Sequence, residues 1–147
     1  MSKQPATCRE TAAAILGRSA RSTHELGSKL EEKGFSEAEI LETLAFMTEY
    51  RYLDDERYAS DLANTHAARG HGPYRIRQEL TKRGIDSDTV EDVLSRLPDP
   101  DNALQKLLRA RLSRQNDEQS RQKAAAALSR RGYGWDEIHA ALRPWED

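Results

Sequence analysis

At 147 residues the chain has the length of one ordinary domain, and 37% hydrophobic against 33% charged residues leave too little apolar material for a thick core. A single cysteine, Cys8, excludes an intramolecular disulfide, and no apolar run has the length of a membrane span or a secretory leader, so a soluble cytoplasmic protein is expected. The net charge of -2 conceals an asymmetry: ten acids face three bases between Glu25 and Glu56, whereas eight bases face two acids between Lys106 and Arg131.

In chain order, Thr7 to Ser19 reads as a weakly amphipathic helix ending near Gly17. Ser22-Thr23-His24-Glu25 has the spacing of a capping box and opens a helix with Leu26 and Leu30 on one face, which Gly34 stops. A third helix begins near Ser36 and carries Ile40, Leu44 and Met47 at helical spacing, with Leu41 beside them. Asp54 or Asp55 caps the next helix, predicted to run to Gly70, and Pro73 to Arg83 follows a tight Gly-His-Gly-Pro turn. Val90, Leu94 and Leu97 form a further stripe. Pro98-Asp99-Pro100-Asp101 then interrupts the chain before a helix predicted over Asp101 to Gln115.

The hexapeptide pattern Leu30-Glu-Glu-Lys33-Gly34-Phe35 recurs as Leu80-Thr-Lys-Arg83-Gly84-Ile85 and Leu128-Ser-Arg-Arg131-Gly132-Tyr133. Five residues beyond each copy, Ile40, Val90 and Ile138 begin the stripes Ile40/Leu44/Met47, Val90/Leu94/Leu97 and Ile138/Leu142/Trp145. Ahead of each leucine stands a small helix-starting residue, Ser22, Gly72 or Ser120. Matching at this many positions predicts an all-α protein of three tandem three-helix repeats, at 1–53, 54–99 and 100–147, in an elongated, curved array. The first repeat is acidic, the second has a basic middle helix, and the third is basic.

On a helical wheel Ile76 and Leu80 mark the buried side of the second middle helix, which places Arg75, Gln78 and Lys82 together on the opposite side with Arg77 flanking them. The corresponding positions of the third repeat hold Lys123, Ala126 and Arg130, and those of the first hold Glu25, Ser28 and Glu32. A clustered basic face is the footprint of a surface that meets phosphates or an acidic protein groove; the plainer explanation is a solvated helix face. Lys33, Arg83 and Arg131 precede a terminal glycine in every repeat, where a cation favours the helix dipole, so a structural role is expected for them.

Catalytic chemistry finds little support. Asp54-Asp55-Glu56 is explained by a helix start, and Gly72, Pro73 and Gly84 by turn and cap geometry. His24, His66, His71 and His139 lack metal-ligand spacing; Tyr133 and Trp145 fall on core positions, which favours packing over base stacking for both. No enzyme, metal or cofactor is expected.

Tyr52-Leu53-Asp54-Asp55, Arg57-Tyr58-Ala59, Gly72-Pro73 and Arg75-Ile76 leading to Glu79-Leu80 and Gly84-Ile85 together resemble the motif of the RecX family of bacterial regulatory proteins. The resemblance implies a protein that lies in the helical groove of the RecA recombinase filament on single-stranded DNA and restrains its growth, ATP turnover, strand exchange and coprotease activity. A role in recombinational DNA repair and the SOS response follows, for a chain expected to be monomeric and to bind DNA directly only weakly. Arg51 stands where that family commonly has glycine, Tyr58 where phenylalanine is frequent and His71 where an aromatic is frequent; Arg51 is expected to let the preceding helix continue into the turn. The competing expectation is a stand-alone helix-turn-helix-like protein that binds duplex DNA.

Overall fold

The computed structural model describes residues 4–146; the ends 1–3 and 147 of the outer predicted repeats lie outside the described residues. Within them the chain forms nine α-helices and no strand. Unit one holds α1 (Cys8–Arg18), α2 (Thr23–Glu32) and α3 (Glu37–Glu49). Unit two holds α4 (Asp55–Ala68), α5 (Pro73–Lys82) and α6 (Ser87–Ser95). Unit three holds α7 (Asp101–Leu112), α8 (Glu118–Arg130) and α9 (Trp135–Leu142), followed by a 3-10 turn over Arg143–Trp145.

Each unit closes around its own core. Leu26 and Leu30 of α2 pack with Ala12 and Met47; Ile76 and Leu80 of α5 with Ala59, Ala63 and Val90; Leu128 of α8 with Leu104, Leu108 and Ile138. Three small cores in series expose more surface than one large core. The accessible area of 10056 Å² exceeds the roughly 7,600 Å² expected of a compact protein of this mass, as an extended array requires.

The repeated hexapeptide has a definite mechanical meaning. The amides of Phe35, Ile85 and Tyr133 reach back to the carbonyls of Leu30, Leu80 and Leu128, while Gly34, Gly84 and Gly132 take φ of 91°, 80° and 100° between them. This is the Schellman helix stop, which needs a residue tolerant of positive φ and pairs it with an apolar contact across the turn. Lys33, Arg83 and Arg131 are the C-cap residues in all three units, as the dipole argument expects.

Helix starts follow side-chain chemistry in unit one. Capping boxes form at Thr7/Glu10, Ser22/Glu25 and Ser36/Glu39. Ser120 does not cap α8: the Asp117 carboxylate accepts from the Ser120 amide, so the cap lies three residues earlier and the helix begins at Glu118. That carboxylate also accepts from the Gln115 amide group, and these bonds hold its pKa down at about 2. At its other end the predicted Asp101–Gln115 helix stops at Leu112.

Arg51 does not extend α3. The helix ends at Glu49, because the amides of Tyr52 and Leu53 both turn back to the Met47 carbonyl and Leu53 becomes buried. Arg51 is thereby placed at φ 61°, a left-handed conformation that a side chain disfavours by about 1 to 2 kcal/mol. Arg51→Gly should therefore stabilise the protein by about 1 kcal/mol in urea unfolding. A variant no more stable than the parent would mean that the arginine side chain compensates for its backbone.

Candidate interaction surface

The units meet end to end through their middle helices. The last turn of α5 abuts the first turn of α2: buried Ser22 donates its hydroxyl to the Arg83 carbonyl at 2.5 Å, and His24 lies against Gly84 where a Cβ would overlap it. The last turn of α8 abuts the first turn of α5 in the same way. The Gly72 amide donates to the Arg131 carbonyl at 2.8 Å, the Tyr74 amide donates to the Gly132 carbonyl at 3.0 Å, and Gly132 lies against Arg75. Three helix segments thus run α8, α5, α2 in one sense, opposite to the order of the chain. Carbonyl ends meet amide ends, so each joint satisfies groups that a helix terminus otherwise leaves unpaired. This explains why α5 starts at Gly72 and Pro73 with no side-chain cap: the next unit supplies the acceptors, and only glycine admits them this closely.

The two aspartates of the motif divide between two helices. Asp54 caps its own helix by accepting from the Arg57 amide at 3.2 Å. Asp55 reaches into unit one, accepting from the Thr23 amide at 2.8 Å and the Thr23 hydroxyl at 3.1 Å, so it caps α2. The helix-start explanation therefore holds for Asp54, and the second acid serves the joint.

Arg83 anchors the same joint. Its guanidinium donates to the Tyr58 hydroxyl at 2.7 Å and to Glu79 at 3.0 Å, and lies 3.6 Å from Glu25 of unit one. Burial alone would raise the Glu25 pKa. The Ser22 amide, the Tyr58 hydroxyl and the Arg83 charge outweigh it and keep the carboxyl below its ordinary value. The Tyr58 hydroxyl belongs to this network, which gives a polar task to a position where the resembling family often has phenylalanine.

The basic face is only partly free. Arg75, Gln78 and Lys82 on α5 are exposed, as are Lys123 and Arg130 on α8, and Ala126 lies between these last two. Because Arg75 sits against Gly132, just beyond Arg130, the stripes of the two units abut at the joint. Arg77 differs from its predicted companions: Glu91 of α6 accepts from it twice, at 2.9 and 3.1 Å. That partner neutralises it, and a single-helix projection could not reveal an acid on the neighbouring helix.

A second basic cluster escaped the sequence reading. His66 and His71 approach Nδ1 to Nδ1 at 2.8 Å, and the Arg131 guanidinium donates to the Arg69 carbonyl at 3.4 Å. Burial, followed by the charges of Arg75, His66, Arg131 and Arg69, depresses the His71 pKa, so His71 favours the neutral form. The chain offers His66, Arg69, His71, Arg75 within ten positions. Arg131 joins them only through the fold.

Beside the joint lies a cleft of about 560 Å³ lined by Ala67, His71, Pro73, Leu97, Tyr133 and Glu137, among others. Glu137 Oε2 is buried without a partner, and burial, reinforced by Asp99 and Asp136, raises the pKa of this carboxyl. Tyr133 is buried and Trp145 half-buried with its ring N–H donated to Gln105, in keeping with packing roles. No group of His, Cys, Asp and Glu side chains suited to a metal ion occurs among the described residues, and no described helix is long and apolar enough to cross a membrane.

Three family models match the chain in succession: the first three-helix domain of RecX over residues 8–47, the second over 54–94 and the third over 99–142. A regulatory protein RecX of Vibrio parahaemolyticus is 34% identical over 137 residues, covering 91% of this chain and 88% of the relative. The regulatory protein RecX of Bacillus subtilis is 32% identical over 129 residues, 83% of this chain but 48% of the longer relative. The crystal structure of RecX from Lactobacillus salivarius superposes with a TM-score of 0.85 over 94% of each chain at 24% identity, a likeness of fold.

Proposed function

The chain belongs to the RecX family of regulatory proteins, and from that premise we propose that it binds the RecA recombinase filament on single-stranded DNA and restrains its activities. Recombinational repair and the SOS response are the processes it would modulate, acting in the cytoplasm as a non-enzymatic monomer. The observation that carries this reading is the pair of basic stripes, Arg75/Gln78/Lys82 and Lys123/Arg130, abutting across the joint of units two and three. An extended array with a basic side suits a long groove that contains both protein and phosphate, and the acidic first unit is left to face basic protein loops.

The stand-alone duplex-binding reading has weaker support. A recognition helix enters the major groove by its N-terminal residues, and the first turn of α5 is already bonded to unit three.

Charge reversal tests the reading directly. Arg75→Glu with Lys82→Glu should raise the concentration needed for half-inhibition of RecA ATPase by at least about tenfold, the equivalent of roughly 1.4 kcal/mol, without altering helix content. Unchanged inhibition by the folded double variant would remove this face from the interaction. A preference for naked duplex over RecA-coated single strand, measured by electrophoresis, would return the duplex-binding reading to first place.

A further inference from the structure

The joint between units two and three presents two kinds of side chain in one place. Its charge is cationic: Arg69, Arg75 and Arg131 form no ion pair among the described residues, unlike Arg77, Arg83 and Arg96. Its apolar surface is aromatic: Tyr74 is 57% and Trp135 52% exposed, with Arg77 over the Tyr74 ring at 5.7 Å and the tilted His139 ring 5.8 Å from that of Trp135. The fold brings these groups together. Tyr74 follows Pro73 on α5 and its ring lies beside Gly134, the residue before Trp135, while its neighbour Arg75 lies against Gly132.

A buried ring would be explained by packing, and a lone exposed ring would need no explanation. Two exposed rings beside unpaired arginines have the composition of surfaces that hold single strands: cations follow the phosphates, and flat faces receive unpaired bases. A duplex offers its phosphates but keeps its base faces stacked, so it could use only half of this surface. We propose that this joint is a contact site for single-stranded DNA, with Arg69, Arg75 and Arg131 on the phosphates and Tyr74 and Trp135 against the bases. Asp136, exposed on the first turn of α9, orients the strand, because it repels phosphate from the Trp135 side. The proposal rests on the filament reading above and narrows it, since it gives the array its own hold on the strand inside the filament.

The test uses the full chain and oligothymidylate of about 20 nucleotides, longer than one such site. Binding should quench tryptophan fluorescence, and Trp135→Phe should abolish the quench while retaining affinity by anisotropy, because Trp145 is packed in unit three. Trp135→Ala and Tyr74→Ala should each weaken binding about 5- to 100-fold. Arg69→Ala with Arg75→Ala should weaken it too and should lower the slope of log affinity against log salt by about 1.4. Circular dichroism checks that each variant is folded; both arginines are truncated beyond Cβ, which leaves the contact with Gly132 in place.

Tighter binding of a duplex of equal length, or full affinity in both aromatic variants, would overturn the proposal. The two readings fail separately. Loss of RecA ATPase inhibition in the parent with oligonucleotide binding intact would sustain this site and remove the filament reading. Inhibition with no oligonucleotide binding at low salt would do the reverse.

Discussion

Leu80→Ala should lower the stability of the protein by about 2 to 5 kcal/mol, the largest single loss expected in unit two. Leu80 is fully buried and packs with Ala59, Ala63, Ile76 and Val90, and its carbonyl also receives the Ile85 amide that closes the helix stop. Alanine keeps the main-chain bond and removes the side chain from a core too thin to collapse around the gap. Urea unfolding measures the loss. Since each unit has its own core, unit two should melt ahead of the others in hydrogen exchange, so the experiment reads both magnitude and location. A loss below about 1 kcal/mol would contradict the burial of this position.

Gly72→Ala should disconnect units two and three while leaving each folded. The backbone at Gly72, φ -87° and ψ 170°, is comfortable for alanine, so α5 itself has no objection. The added Cβ would overlap the main chain of Gly132 and Tyr133, which unlike a side chain cannot rotate away. Separation forfeits the bonds from the Gly72 and Tyr74 amides, each contributing about 0.5 to 1.5 kcal/mol, and leaves the first turn of α5 uncapped. The expected result is unchanged far-ultraviolet circular dichroism, a larger radius of gyration in small-angle scattering and faster exchange of those two amides. An unchanged radius with protected amides would show that the joint yields elsewhere.

The fold was legible because its punctuation is chemical. A helix stop of this kind demands glycine at one position and apolar residues on either side at fixed offsets, so Leu30/Gly34/Phe35 and its two copies were visible at a glance. Capping boxes are equally overt, and Thr7/Glu10 and Ser36/Glu39 could have been read as Ser22/Glu25 was. The joints were not legible. Their acceptors are the carbonyls of Arg83, Arg131 and Gly132, which any residue could provide, and nothing in the sequence announces which carbonyl faces which amide. Asp55 was read as part of its own helix start because Thr23, its actual partner, lies 32 positions away. Arg77 looked free for the same reason, with Glu91 on a different helix. Arg51 shows the opposite case: the family comparison with glycine was the informative clue, and the expectation of a longer helix ignored it.

The two joints differ in what holds them. Between units two and three two bonds run main chain to main chain and one from the Arg131 guanidinium to the Arg69 carbonyl, and no ion pair among the described residues takes part. Between units one and two a serine hydroxyl and the Asp55 cap on Thr23 share the work with the Glu25–Arg83 pair, whose attraction dissolved salt weakens. Ionic strength is therefore a selective lubricant: it loosens the first unit on its bearing and leaves the second and third locked as one stiff blade.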